Sequence, residues 1–186
     1  MKRTLWIVLC ACLVAAPLRV SADGVFQMSS PAFKDGDLLP ATYVFSGTGI
    51  DKTPCGGQNQ SPPLAWSNAP AGTRSFALVI FDVDGFKGLG VAHWVAYNIS
   101  PEKTSVALGE GAPDTKTLTS GKHQYGQLGF RGFCPPKGSS LHHYVMTVYA
   151  LDLAPSLAPG LTRAELLAAI DGHILGSSSI VGRLAR

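Results

Sequence analysis

Three apolar runs constrain this chain more than any other feature: SFALVIF at 75–81, HWVAYNI at 93–99 and HHYVMTVYAL at 142–151. Each has the length of a strand. Each is apolar at nearly every position rather than at alternate ones, which is the mark of a strand covered on both faces. The intervening stretches are long and carry turn chemistry. Pro54–Pro63 contains Gly56, Gly57, Asn59 and two consecutive prolines and reads as an ordered loop, and Asn68–Gly72 reads as a turn. Gly109–Gly138 is punctuated by glycine and has little periodicity. With 21 glycines, 13 prolines, 15% charged residues and no heptads or repeats, a helical bundle is excluded. The expected class is mainly β, a sandwich carrying elaborated loops.

Smaller elements fit around these runs. Ala41–Phe45 is rich in β-formers and is expected as a short strand, as is Leu64–Trp66. A C-terminal helix is signalled by Thr162 and Glu165 as a capping box, with Leu161 and Leu166 as a hydrophobic staple. Its stripe would be Leu166, Leu167, Ile170 and Ile174, with Gly176 as the stop. The last ten residues are open between a short strand and an edge-wrapping segment.

The N-terminus bears on compartment. Lys2 and Arg3 precede an apolar stretch, Leu5–Ala16, and Val20-Ser21-Ala22 offers small residues to a peptidase. The expectation is a cleavable signal over residues 1–22, cut after Ala22, and one domain over 23–186. The apolar stretch is too short for a span of about 20 residues, so no stable membrane insertion is expected. Leu9-Cys10-Ala11-Cys12 resembles a lipoprotein cleavage site only faintly, since it would leave an h-region of a few residues. Loss of Lys2, Arg3 and Arg19 leaves 12 basic residues against 12 acidic ones. The formal +3 therefore belongs to the precursor, and overall charge gives no ground for nucleic-acid binding. Cys55 and Cys134 remain, and in a periplasmic or secreted protein such a pair is expected to form a disulfide.

Polar residues stand where these strands meet loops. Asp82 ends the first run and shares parity with Leu78 and Ile80, which places it near the mouth of the core. Asp84, before Gly85, reads as a turn residue. His93 opens the second run, and simple alternation puts it on one face with Val95, Tyr97 and Ile99. A lone histidine at a strand start is more often a structural donor than a ligand. His142 and Tyr144 share a face, with His143 and Val145 on the other. Adjacent strand histidines therefore do not grip one metal together. No metal-ligand spacing, Gly-x-Ser-x-Gly elbow or His-Glu-x-x-His stands in the sequence, so neither a metal nor another cofactor is expected.

Taken together, four stretches resemble one family. Ser61-Pro62-Pro63-Leu64-Ala65-Trp66, Phe76–Asp84, His93–Ile99 and Gly132–Tyr144 are similar, in order, to motifs of the phosphatidylethanolamine-binding proteins in their bacterial branch. The resemblance runs from about Phe26 to Leu175. It implies an antiparallel Greek-key β-sandwich with long loops and a C-terminal helix. It also implies a small pocket for phosphate, acetate or a phosphoethanolamine headgroup. Carried over by motif, the ligand-binding residues are Asp82, His93, Pro135, His142 and Tyr144, with Asp84 and Pro136 supporting the loops. The chain departs from the motifs at Val83, at Gly85-Phe86, at Val91 and at His143, where relatives carry other residues. The expected chemistry is that His93 and His142 donate to an anion while Asp82 orients one of them.

Three functions follow as expectations. The first is an exported, non-enzymatic protein binding a small anion or phospholipid headgroup. The second is an interaction or inhibitor module acting on a protein partner through its loops. The third is a hydrolase using the Asp82, His93 and His142 cluster, which lacks an evident nucleophile.

Overall fold

The computed structural model describes residues 24–186, so the signal call on 1–22 lies outside the described residues. Its eight strands are β1 (Gln27–Ser29), β2 (Leu64–Ser67), β3 (Ser75–Asp82), β4 (Val91–Ile99), β5 (Ser105–Val106), β6 (Thr119–Ser120), β7 (His142–Leu151) and β8 (Ile174–Leu184). They form two antiparallel sheets, a small one ordered β1-β2-β5 and a large one ordered β6-β4-β3-β7-β8. A helix, Arg163–Ile170, lies between β7 and β8 in sequence.

The apolar runs are the centre of the large sheet, and each of its faces is covered by a different partner. Leu78, Ile80, Trp94, Tyr144, Met146 and Val148 face the small sheet and pack with its Leu64 and Trp66. Ala77, Val79, Val95 and Tyr97 face the other way, onto Leu166 and Ile170 of the helix. This double cover is why the runs are continuous rather than alternating. Side chains of this size, fully buried, each contribute about 1.5–3 kcal/mol.

Two β-bulges in β4 overturn the simple alternation expected for His93. Ile80 pairs with Trp94 but Phe81 with Ala92, leaving His93 as the extra residue. A second shift, between the pairs Phe76–Ile99 and Leu78–Ala96, includes Asn98 at a left-handed φ of 53°. Val95 and Tyr97 therefore face the helix, whereas Ile99 packs on the small-sheet side. His93 also lies on that side, its ring 5.1 Å from Phe133 and 5.4 Å from Tyr144.

Two lesser expectations also change, and the end of the chain, left open by the sequence, is a strand. Ala41–Tyr43 is a 3-10 turn rather than a strand, started at Pro40, with Tyr43 in the core. Only Val44 makes a bridge, to Phe133. The helix has its capping box, with the Thr162 hydroxyl and the Glu165 carboxylate each accepting from the other's backbone N–H. It stops at Ile170, before Gly172, and Ile174 already belongs to β8. The chain then runs the full length of β7 as a strand, pairing from Ile174–Leu151 to Leu184–His142.

Candidate functional site

The end of β3 and the starts of β4 and β7 lie together, because antiparallel pairing brings a strand's exit beside its neighbours' entries. Asp82 stands directly opposite Tyr144, and Val91 pairs with Asp82 on the other side. A cavity of about 390 Å³ opens at this end. Asp82, His93 and His142 line it, with Pro135 and Pro136 as one wall and the Gly85–Lys87 turn as another.

Asp82 is 3% exposed and its carboxylate is fully engaged. One oxygen accepts from the backbone N–H of Asp84 at 3.0 Å and of Gly85 at 3.1 Å, which sets the turn after β3. The other accepts from His142 Nδ1 at 2.7 Å. Asp82 thus orients His142 and not His93. A carboxylate can only accept here, so Nδ1 of His142 carries a proton and Nε2 is its free valence.

His93 differs from expectation in protonation. Its Nδ1 donates to the Arg131 carbonyl at 2.8 Å, since a carbonyl can only accept. Burial, outweighing that hydrogen bond, lowers its pKa to about 4, and the charges of Arg131, His123 and His142 push the same way. At neutral pH His93 is therefore an uncharged ring whose Nε2 is an acceptor. The expected pair of donor histidines is corrected to one oriented by a carboxylate and one neutral.

Asp84 and His143 form a second pair on the sheet's other parity. Asp84 Oδ2 accepts from the His143 backbone N–H at 2.7 Å and from its ring Nδ1 at 2.9 Å. Desolvation pushes the Asp84 carboxyl up, but these bonds outweigh it and hold it below the usual range. Tyr144 does not line the cavity. It lies wholly buried beneath the floor, its ring 4.0 Å from that of Phe133, and burial with nearby carboxylates raises its pKa.

Arg131 was missed in the sequence, although it sits beside the Cys-Pro-Pro turn. Its guanidinium lies 3.8 Å from the centroid of Phe45 and 4.2 Å from that of Tyr125, on the cavity wall. Among the described residues it has no carboxylate partner. Phe45 and Tyr125 are far from it in sequence, so no local pattern announced the stack. His123, buried nearby, was missed as well. Burial first and Arg131 second lower its pKa to about 4.

The proline wall is cross-linked. Cys55 and Cys134 form a disulfide with Cα atoms 5.7 Å apart. Arg186 donates to the Pro135 carbonyl at 3.0 Å, to the Pro54 carbonyl at 2.6 Å and to Asp51 at 2.7 Å. Hydrogen bonds from the Lys137 and Thr53 backbones, together with the Thr53 side chain and Arg186, hold the Asp51 carboxyl well below its ordinary pKa. Among the described residues no group of three or more His, Cys, Asp or Glu could hold a metal ion.

Comparison with known proteins identifies the family to which this fold belongs. The family model described as phosphatidylethanolamine-binding protein matches residues 29–185. The UPF0098 protein of Methanothermobacter thermautotrophicus is 36% identical over 164 residues, 86% of this chain and 99% of that one. The UPF0098 protein YbcL of Escherichia coli is 41% identical over 130 residues, 68% of either chain. The crystal structure of Escherichia coli YbcL, described as a new member of the mammalian PEBP family, superposes with a TM-score of 0.79. That superposition has 32% identity and covers 88% of this chain and 99% of that one. A match across both sheets and the cavity, with such relatives along nearly the whole described chain, makes this protein a member of the phosphatidylethanolamine-binding protein family, of the UPF0098 type.

Proposed function

We propose that the cavity binds, without turning over, a small oxyanion of the phosphate or phosphate-monoester class, free or as a phospholipid headgroup. One observation carries this reading: Arg131 lines the cavity, and its guanidinium has no carboxylate partner among the described residues. The two carboxylates of the cavity, Asp82 and Asp84, are already held by backbone N–H groups and imidazoles. A half-desolvated guanidinium without a counterion is costly, and a bound anion would offset that cost through charge-assisted hydrogen bonds. Neutral His93 complements it by accepting from a protonated ligand oxygen or an ammonium group.

The Asp82–His142 dyad favours a second reading, hydrolysis, because a carboxylate-oriented imidazole is half of a nucleophile-activating device. Binding without turnover is the better supported of the two. Ser139 and Ser140 line the cavity, but the Ser139 hydroxyl donates to the Ser140 carbonyl at 3.2 Å rather than to His142. Export is part of the proposal, supported by the signal-like N-terminus and by a disulfide that suits an oxidising compartment.

The test is titration with inorganic phosphate and phosphoethanolamine, followed by NMR of the histidine rings. Saturable shifts of His93 and His142 are expected. Arg131→Gln should weaken binding by about tenfold or more, the scale of a charge-assisted hydrogen bond. No saturable shift at either histidine would rule out the anion pocket. Ester hydrolysis that disappears in His142→Ala would favour the hydrolytic reading instead.

A further inference from the structure

The cavity end of the molecule carries charge and apolar surface at and beyond the mouth of the pocket. Leu89 is 85% exposed, Ile50 54% and Phe86 40%. Phe86 and Leu89 belong to the turn after β3, Ile50 to the loop that includes Gly49, and Phe86 and Ile50 both line the cavity mouth. Each of these segments also carries an exposed lysine, Lys87 and Lys52, and Lys137 adds a third beside the proline wall. Among the described residues none of these lysines is in an ion pair. The carboxylates of the same end are all engaged: Asp51 by Arg186, Asp82 by His142 and Asp84 by His143. Five basic side chains at this end, Lys52, Lys87, Lys137, Arg131 and Arg186, outnumber these three carboxylates, so the rim is locally cationic and tipped with apolar side chains.

We propose that this rim docks reversibly on an anionic lipid bilayer, Leu89, Phe86 and Ile50 entering the boundary between headgroups and acyl chains. Lys52, Lys87 and Lys137 would then lie at the level of the lipid phosphates, where basic side chains gain most. Single apolar tips on separate turns suit a fluid interface, which needs no matching shape. A protein partner would need a continuous contact face with a desolvated centre, and the centre of this rim is an open cavity. Phe86 and Lys87 also keep left-handed backbone, at φ 47° and 60°, a conformation that side chains disfavour and that concentrates at functional surfaces. Among the described residues no helix is long and apolar enough to cross a membrane. The docking surface shares Ile50, Phe86 and Lys87 with the lining of the proposed anion pocket and adds Leu89, Lys52 and Lys137 outside it.

The test is cosedimentation of the protein, recovered after export by an expressing bacterium, with two vesicle types. One is phosphatidylcholine alone and the other phosphatidylcholine with phosphatidylglycerol. Salt-sensitive binding to the anionic vesicles is expected, falling about fivefold or more in Lys52→Glu, since each surface lysine is worth roughly that factor. Leu89→Asp, at a position outside the cavity lining, should lose vesicle binding while its phosphate titration stays unchanged. Both variants keep the same N-terminus, so any binding borne by that segment cancels in the comparison. Equal binding to the two vesicle types, or indifference to both substitutions, overturns the proposal. So does a protein that ignores both vesicle types, which would leave the rim to a protein partner. Vesicle binding that behaves as expected without any histidine response to phosphate supports the docking surface and removes the anion pocket.

Discussion

The two walls of the cavity are built by opposite means. The proline wall, 134–140, is tied to distant chain: the disulfide spans 79 residues, and Arg186 reaches Pro135 from the last strand's end. The facing wall, the turn after β3, is organised locally by Asp82, whose oxygen accepts from the backbone N–H groups of Asp84 and Gly85. The first wall resists opening through covalent and long-range constraint. The second is coupled to the chemistry, because the same carboxylate that shapes the turn also orients His142. Rigidity and binding should therefore separate by mutation on the first wall and fail together on the second.

The sharpest break should come from Asp82→Ala. It strands two backbone N–H groups and the His142 ring near the core, and a loss of about 3–5 kcal/mol is expected in urea unfolding. The phosphate response of His142 should vanish even where the variant remains folded. Replacing both cysteines, Cys55→Ser with Cys134→Ser, should cost about 2–4 kcal/mol, yet histidine shifts with phosphate should persist because Arg186 still holds Pro135. A double serine variant that loses phosphate binding while folded would show that the disulfide alone positions the wall.

His93 gives the next effect. Its pKa is about 4 in the fold and returns to about 6.5 on unfolding. Below 6.5 the unfolded chain takes up a proton that the native chain refuses, so stability falls as pH drops, until the native ring also protonates near 4. The slope should be on the order of 1 kcal/mol per pH unit across that window, and His93→Gln should flatten thermal denaturation against pH by about that amount. Arg186→Ala should be the mildest, about 1–2 kcal/mol from lost hydrogen bonds to carbonyls. Its effect on phosphate affinity should emerge mainly when the disulfide is also absent, which a two-by-two comparison of the variants would reveal.

Much of this was legible in the chain. The apolar runs at 75–81, 93–99 and 142–151 correspond to β3, most of β4 and all of β7, since burial on both faces leaves a continuous imprint. The capping box at Thr162 was readable because its partners are three residues apart. By contrast, β8 contains Gly176-Ser177-Ser178-Ser179, whose residues carry little strand preference, and it is a strand because β7 offers its whole edge. Val44 and its neighbours looked like a strand but close a turn, because Pro40 sets its start and one bridge is all they find.

The site divides in the same way. The sequence alone determined which neighbours share a face: strand parity puts Ile80 and Asp82 on one side, and His142 and Tyr144 on one side, while their gathering in one pocket was implied by the family resemblance. Tertiary structure decided what those groups do. A bulge turned His93 away from the face of Val95, and burial made it neutral in spite of its hydrogen bond to the Arg131 carbonyl. Asp82 took His142 as its partner, and two rings far apart in the chain placed Arg131 on the wall. Periodicity along a strand is a local property and survives in the order of residues. A bulge, a desolvated ring and a stacked guanidinium depend on which distant segments arrive beside them, and only the folded chain specifies that.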